Sequence, residues 1–294
     1  MTSNAGSSGA SAAGGGADRD ALAACLDEAV RLAEAAGVQL LEFVDRGVVA
    51  ESKGIRRELV TAADRAAERV VVGGLQRRFP GHAVLAEEGV LTTQGKPSSE
   101  SEWLWIVDPL DGTTNYVHGI PFYCVAIALA YRGDPVVGVV HAPALGETYA
   151  AARGAGATHR ARDGRVRRLQ VSATAAMPDA LLATGFSYNR NEPGRDDNTR
   201  SVAHVLPRCR DLRRLGSAEL DLCLVAAGVY DGYWERYLQP YDVAAGAVMV
   251  REAGGAISEF DGGGGWLFGD SVAATNGHLH AELRQLLRAA GASR

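Results

Sequence analysis

From about residue 160 onward the chain alternates between short apolar runs of strand length and longer stretches with a helical repeat. Residues 180–184, 211–215, 232–235, 256–259 and 272–274 read as strands, and 198–209, 217–227, 242–253 and 278–290 as helices. Strands joined by helices build a sheet whose faces those helices cover, so this half is predicted to be layered α/β. The first half is organised differently. An apolar stripe at Leu22, Cys25, Leu26, Val30, Leu32 and Ala33 predicts a helix from Asp18, stopped by Gly37, and 39–49 reads as a strand pair or loop. A second helix is expected over Thr61–Phe79, ended by Pro80-Gly81. Strands follow at 82–86 and 103–107, then a meander of 122–131, 135–142 and 147–152. The expected organisation is an α+β N-terminal lobe over 18–160 and an α/β C-terminal lobe over 161–294, with the active site between them.

Composition narrows the function classes. The 294 residues can bury one large core or two ordinary ones without a disulfide or metal staple. A net charge of −5 argues against nucleic acid as the partner, since phosphate neutralisation needs a basic surface. The four cysteines form no C-x-x-C pair, and Cys124 and Cys223 lie in apolar runs, as buried thiols do. No apolar stretch approaches the roughly 20 residues of a membrane span, and no basic segment precedes an apolar leader. A cytoplasmic protein with no membrane partner is expected. Residues 1–17 are small and polar and are expected to form a disordered tail.

The densest chemistry lies at Trp105-Ile106-Val107-Asp108-Pro109-Leu110-Asp111-Gly112-Thr113-Thr114-Asn115. An apolar strand runs into two carboxylates three residues apart, with Pro109 fixing one backbone angle and Gly112 permitting an unusual one. Alone, this tetrapeptide is equally a turn closing a strand. Two acids at a strand's carboxyl end also offer the hard oxygens a divalent cation needs, and the Leu110 carbonyl adds another. The amides of Gly112 and Thr113 are then available to a bound phosphate.

This segment resembles the D-P-x-D-G-T-x-N signature of the inositol monophosphatase family, a group of magnesium-dependent, lithium-sensitive phosphatases. Three further segments match in order: Glu58-Leu59-Val60-Thr61-Ala62-Ala63-Asp64, Ala86-Glu87-Glu88-Gly89, and Tyr241-Asp242-Val243-Ala244-Ala245-Gly246 followed by Glu252-Ala253-Gly254-Gly255. Tyr241 replaces the family's usual Trp, and Ala86 its Gly. The resemblance runs from about residue 20 to 290 and implies a layered α-β-α-β-α fold, a homodimer, and Mg²⁺-dependent hydrolysis of a small phosphate monoester, foremost myo-inositol 1-phosphate. It implies two or three Mg²⁺ per site, with Mn²⁺ as an alternative. Glu87, Asp108 and the Leu110 carbonyl would hold the first ion, Asp108, Asp111 and Asp242 the second, and Glu87 would help a third. Asp64 and Thr113, with Glu87, are the implied catalytic residues. Gly112, Thr113 and Asp111 would face the phosphate, and Gly216, Ser217, Ala218 and Glu235 the alcohol. Lys53 would supply a basic group from a loop near the metals.

Each residue also has a plainer role open to it. Thr61 and Asp64 have capping-box spacing, with Glu68 a further acid in the first turns of that helix. Glu87 and Glu88 could end a strand in solvent, Asp242 and Ser217 could be N-caps, and Glu235 an exposed acid. His278 and His280 do not share a helix face, which argues against a metal pair. The arginines of 160–168 suit a solvated hairpin, and Arg208, Arg210, Arg213 and Arg214 a solvated or interface cluster. Sister chemistries stay open on histidinol phosphate, fructose 1,6-bisphosphate or 3′-phosphoadenosine 5′-phosphate. Carboxylates in Ser217–Asp221 and at Glu235 lean toward a polyol. A rival of another class is a regulatory protein that binds transcription machinery.

Overall fold

The computed structural model describes residues 16–47, 50–52, 59–89, 101–188, 190, 192 and 194–292. Of the expected tail, residues 1–15 lie outside the described residues, and helix α1 (Gly16–Arg46) already includes Gly16 and Ala17. After α1 come β1 (Ala50–Ser52), β2 (Leu59–Thr61), α2 (Ala62–Arg78), β3 (Ala83–Ala86), β4 (Trp103–Asp111) and the short α3 (Thr113–Val117). The meander follows as β5 (Cys124–Tyr131), β6 (Asp134–Ala142), β7 (Glu147–Ala152), β8 (Gly156–Arg160) and β9 (Val166–Arg168). The rest is β10 (Leu181–Thr184), α4 (Thr199–Val205), β11 (Asp211–Arg213), α5 (Ala218–Ala226), β12 (Gly232–Arg236), α6 (Ala244–Glu252), β13 (Ala256–Ser258), β14 (Ser271–Thr275) and α7 (His280–Ala292).

Two large sheets organise these elements. The first has order β3-β4-β5-β6-β7-β8-β9, parallel at β3–β4 and antiparallel elsewhere. The second has order β11-β10-β12-β14-β13, with β10 parallel to both its neighbours. Three apolar clusters show how the layers stack. Alternate residues of β4 divide between them: Trp105 and Val107 join α1 and α2 on one face, while Leu104 and Ile106 join α5 and α6 on the other. The second sheet packs its inner face on α5 and α6 and its outer face on α4 and α7. The result is the expected α-β-α-β-α stack, in which α5 and α6 are covered on both sides. Their nearly continuous apolar sequences follow from that position.

Several boundaries move. Gly37 does not stop α1, which continues to Arg46, so 39–46 is helix and not a strand pair. The glycine is needed for contact: a Cβ there would sit 2.6 Å from the ring of His141 on β6 and 3.1 Å from Pro143 just after it. A missing side chain at a close helix–sheet approach resembles a helix stop in sequence. The meander appears where expected, but its sheet gains the β8–β9 hairpin built from the arginine-rich run and so extends to Arg168, eight residues past the expected lobe boundary. Ser217 caps α5, accepting from the Leu220 amide. Asp242 caps a single 3-10 turn (Pro240–Asp242) by accepting from the Gln239 amide at 2.6 Å, while Val243 precedes α6.

Candidate active site

Asp108 and Asp111 are an odd number of residues apart on one strand, which ordinarily sends side chains to opposite faces. The register of β4 against β5 shifts between them: Asp108 pairs with Ala126 and Asp111 with Cys124, three residues opposite two. This bulge at Pro109-Leu110 absorbs one residue and returns both carboxylates to the face toward α5 and α6, while Leu110 turns into the α1–α2 cluster. Pro109, with no amide hydrogen to lose, suits the interruption. The parallel β3–β4 register (Ala86 beside Val107) brings Glu87 alongside Asp108, and the Glu87 amide donates to the Val107 carbonyl at 3.2 Å. Gly112 follows at φ 89°, where a Cβ would lie 3.0 Å from the Phe122 carbonyl oxygen; only glycine fits both demands.

The acids so gathered repel one another. Burial pushes the Asp108 carboxyl well above the usual carboxylate range, and Glu87, Asp111 and Asp242 push it further. Asp242 is raised in the same way, first by burial and then by Glu87. Asp111 is pushed up to about 6 by burial, against donors that favour its charged form. Those donors are the Ser217 hydroxyl at 2.6 Å and the Glu219 amide at 2.9 Å, both to Oδ2. Asp108 Oδ1 accepts from the Leu110 amide at 2.9 Å. Among the described residues no three His, Cys, Asp or Glu side chains already stand as a coordination shell. The donor set nonetheless suits a divalent cation: hard oxygens, buried and mutually destabilised, gain most from a positive charge among them.

A second constellation adjoins the first. Asp64 is fully buried at the start of α2, where Thr61 and Asp64 form the expected capping box, with the Thr61 amide 2.8 Å and hydroxyl 2.5 Å from Asp64 Oδ2. The other oxygen, Oδ1, lies 3.4 Å from Thr113 Oγ1, which is also 3.0 Å from the Leu110 carbonyl oxygen. Burial raises the Asp64 pKa against the Thr61 hydrogen bonds. Capping thus leaves one carboxylate oxygen facing the chemistry. Glu68 proves to be fully buried, accepting from the Glu88 amide at 2.8 Å and tying α2 to the turn that carries Glu87.

A cavity of about 240 Å³ opens at the carboxyl ends of parallel strands from both sheets, the usual place for a ligand in α/β folds. Glu87, Asp111, Asp242, Gly216, Ser217, Ala218 and Glu235 all line it, so seven of the expected site residues share one wall system. Asp64, Asp108, Leu110, Gly112 and Thr113 are not among its lining residues. Lys53 falls outside the described residues. Glu235 is buried, not solvated, and its carboxyl is pushed up to about 7 while accepting from the Tyr233 hydroxyl. Ser217 commits its hydroxyl to Asp111.

Other contributors escaped the sequence. Arg214 lines the cavity, whereas Arg210 and Arg213 pair with Asp179 and Asp211, and Arg208 reaches the His204 carbonyl. Tyr188 and Tyr233 also line it, as does Asp221 of the Ser217–Asp221 segment whose carboxylates the sequence already pointed to. Asn115 joins the two halves, donating to the carbonyls of Phe122 at 2.7 Å and Leu215 at 2.8 Å. Arg214 lies two residues before a glycine at φ 89° (Gly216), the one hint that it differs from its neighbours. His280 is half-buried and bonds the Ser258 and Thr275 hydroxyls. Among the described residues, no helix is long and apolar enough to cross a membrane.

This fold and acid-lined cleft define a hydrolase of phosphate monoesters, and the comparisons give its family. A profile of the inositol monophosphatase family matches residues 22–292, and the chain belongs to that family, whose members are Mg²⁺-dependent phosphatases. It is 41% identical over 264 residues to an inositol-1-monophosphatase of Synechocystis sp., covering 90% of this chain and 88% of the relative. It is 40% identical to the Nus factor SuhB of Pseudomonas aeruginosa, over 85% of this chain and 91% of that one. Among solved structures, the inositol monophosphatase of Anabaena (Nostoc) sp. superposes with a TM-score of 0.81 at 39% identity, covering 92% of this chain and 97% of the other.

Proposed function

We propose that the chain hydrolyses myo-inositol 1-phosphate to inositol and phosphate at the cleft between its sheets. The observation that carries this reading is the β4 bulge, which turns Asp108 and Asp111 to one face toward Glu87 and Asp242. Glu87, Asp108 and the Leu110 carbonyl would hold one Mg²⁺, Asp108, Asp111 and Asp242 another, and Glu87 would assist a third, with Mn²⁺ as a substitute. The chemistry supplied by the bound ions is neutralisation of phosphoryl charge and acidification of water. Asp64, its second oxygen free of the cap, takes the proton of the attacking water, and Thr113 fixes the geometry between Asp64 and Leu110. The Gly112 and Thr113 amides hold phosphate oxygens. Gly216, Ala218 and Glu235 face the alcohol, and Asp111 gathers the Ser217 and Glu219 donors that keep it ionised.

A panel of inositol 1-phosphate, histidinol phosphate, fructose 1,6-bisphosphate and 3′-phosphoadenosine 5′-phosphate at fixed Mg²⁺ tests the substrate. The first is expected to show the highest kcat/KM; a better rate on any other reassigns the branch. We further infer a lithium-sensitive, cytoplasmic homodimer that requires no membrane or nucleic acid. The resemblance to proteins named Nus factor SuhB favours one second reading, a role in binding transcription machinery. An Asp108→Asn chain that loses turnover yet retains cellular function would favour that role.

A further inference from the structure

We propose that Asp221 reads the alcohol part of the substrate, its Oδ1 accepting a hydrogen bond from a hydroxyl of a polyhydroxylated leaving group. The inference rests on the phosphatase reading above and assigns a further residue of the same cleft. Asp221 lies in the first turn of α5, is 1% exposed, and lines the cavity. Its Oδ1 is buried and has no hydrogen-bond partner among the described residues. A buried carboxylate oxygen without a donor is costly, so a donor is expected from whatever fills the space beside it. Asp221 lines the cleft, whose volume of about 240 Å³ is several times the roughly 30 Å³ share of one liquid water.

The neighbouring groups define the chemistry of the donor. Glu235 and Tyr233 line the same cavity, and the Tyr233 hydroxyl is already committed to Glu235 Oε2. Burial, with Asp111 and Glu235 nearby, pushes the Asp221 carboxyl well above the usual range, and burial pushes Glu235 up to about 7; Arg214, the cation on this wall among the described residues, counters both shifts without forming an ion pair with either. A second phosphate or a carboxylate on the substrate would meet two buried carboxylates. An ammonium would meet the Arg214 guanidinium. A neutral hydroxyl suits both, since it donates to Asp221 and accepts from Arg214. A site built to bond a hydroxyl rejects an analogue lacking it more strongly than an apolar pocket rejects a size change.

The test is the ratio of kcat/KM for myo-inositol 1-phosphate to that for p-nitrophenyl phosphate, whose leaving group has no hydroxyl. The ratio is measured in the wild type, Asp221→Leu and Asp221→Asn. It is expected to fall at least tenfold in Asp221→Leu, mainly through KM for the inositol ester. Asp221→Asn, which keeps an acceptor of the same shape, should fall between. An unchanged ratio in Asp221→Leu, or equal losses on both esters, overturns the inference in favour of a structural role. A wild type that cleaves p-nitrophenyl phosphate with no preference for the hydroxylated ester overturns it while phosphatase chemistry stands. A wild type that cleaves neither removes the phosphatase reading and the inference together.

Discussion

Ser217 Oγ donates to Asp111 Oδ2 at 2.6 Å, across 106 residues of sequence. Ser217 is the N-cap of α5 and Asp111 ends β4, so one hydroxyl ties that helix to a carboxylate of the first sheet. The bond favours ionised Asp111. Hydrogen bonds to charged groups contribute about 1.5–3 kcal/mol. Ser217→Ala is therefore expected to weaken Mg²⁺ binding about tenfold. Titration calorimetry on the folded variant checks this; unaltered affinity would show the bond to be structural only.

Glu87, Asp111 and Asp242 add to the burial that raises the Asp108 pKa, and Glu87 and Asp111 to that which raises Asp242, so removing one charge relieves the metal-free fold. Asp108→Asn should melt at or above the wild-type temperature in chelator, lose most of its Mg²⁺-induced rise in melting temperature, and lose turnover by at least about a hundredfold. A metal-free protein that melts well below wild type would contradict a cluster under electrostatic strain.

The pH dependence has a defined sign. Asp111, Glu235 and Glu219 are held at about 6, 7 and 8 by burial, above their ordinary values. The folded chain therefore binds more protons than the unfolded chain between about pH 4 and 8. Metal-free stability should be fully present below that window and decline as pH rises through it. Denaturant midpoints at pH 5 and pH 8 in chelator measure the decline, and excess Mg²⁺ should flatten it. A midpoint that rises toward pH 8 without metal would refute the assignment.

Glu219 is fully buried and accepts from the amides of Ala245 at 3.0 Å and of Gly246 at the start of α6, while its own amide serves Asp111. Glu219→Ala leaves those two amides without acceptors and is expected to destabilise the fold by about 2–5 kcal/mol, read by chemical denaturation. A change below about 0.5 kcal/mol would mean that water replaces the carboxylate.

Gly37→Ala separates two roles for a helical glycine. At an open helix position alanine stabilises by roughly 1 kcal/mol. Here the new Cβ would meet the His141 ring at 2.6 Å, and overpacking of this kind costs about 1–3 kcal/mol. The thermal midpoint of the variant is expected to fall; a rise would show that α1 and β6 can separate without loss.

The sequence alone determined what is local. The Asp108–Asn115 run, the Thr61–Asp64 capping box, the meander from Phe122 to Ala152 and the strand–helix alternation after 160 are each written within a few residues, where turn chemistry and side-chain periodicity act directly. The acids of the site were legible for the same reason, since each closes a strand or opens a helix. Tertiary structure decided what depends on partners distant in sequence. Only the β4–β5 register shows that Asp108 and Asp111 share a face, because parity along the strand argues the reverse until the bulge is counted. Only packing shows that Gly37 accommodates His141, and that Arg214 faces the cleft while Arg210 and Arg213 find acids outside it. The unpartnered oxygen of Asp221 is likewise invisible in a sequence, where an acid in a helix's first turn reads as a response to the helix dipole.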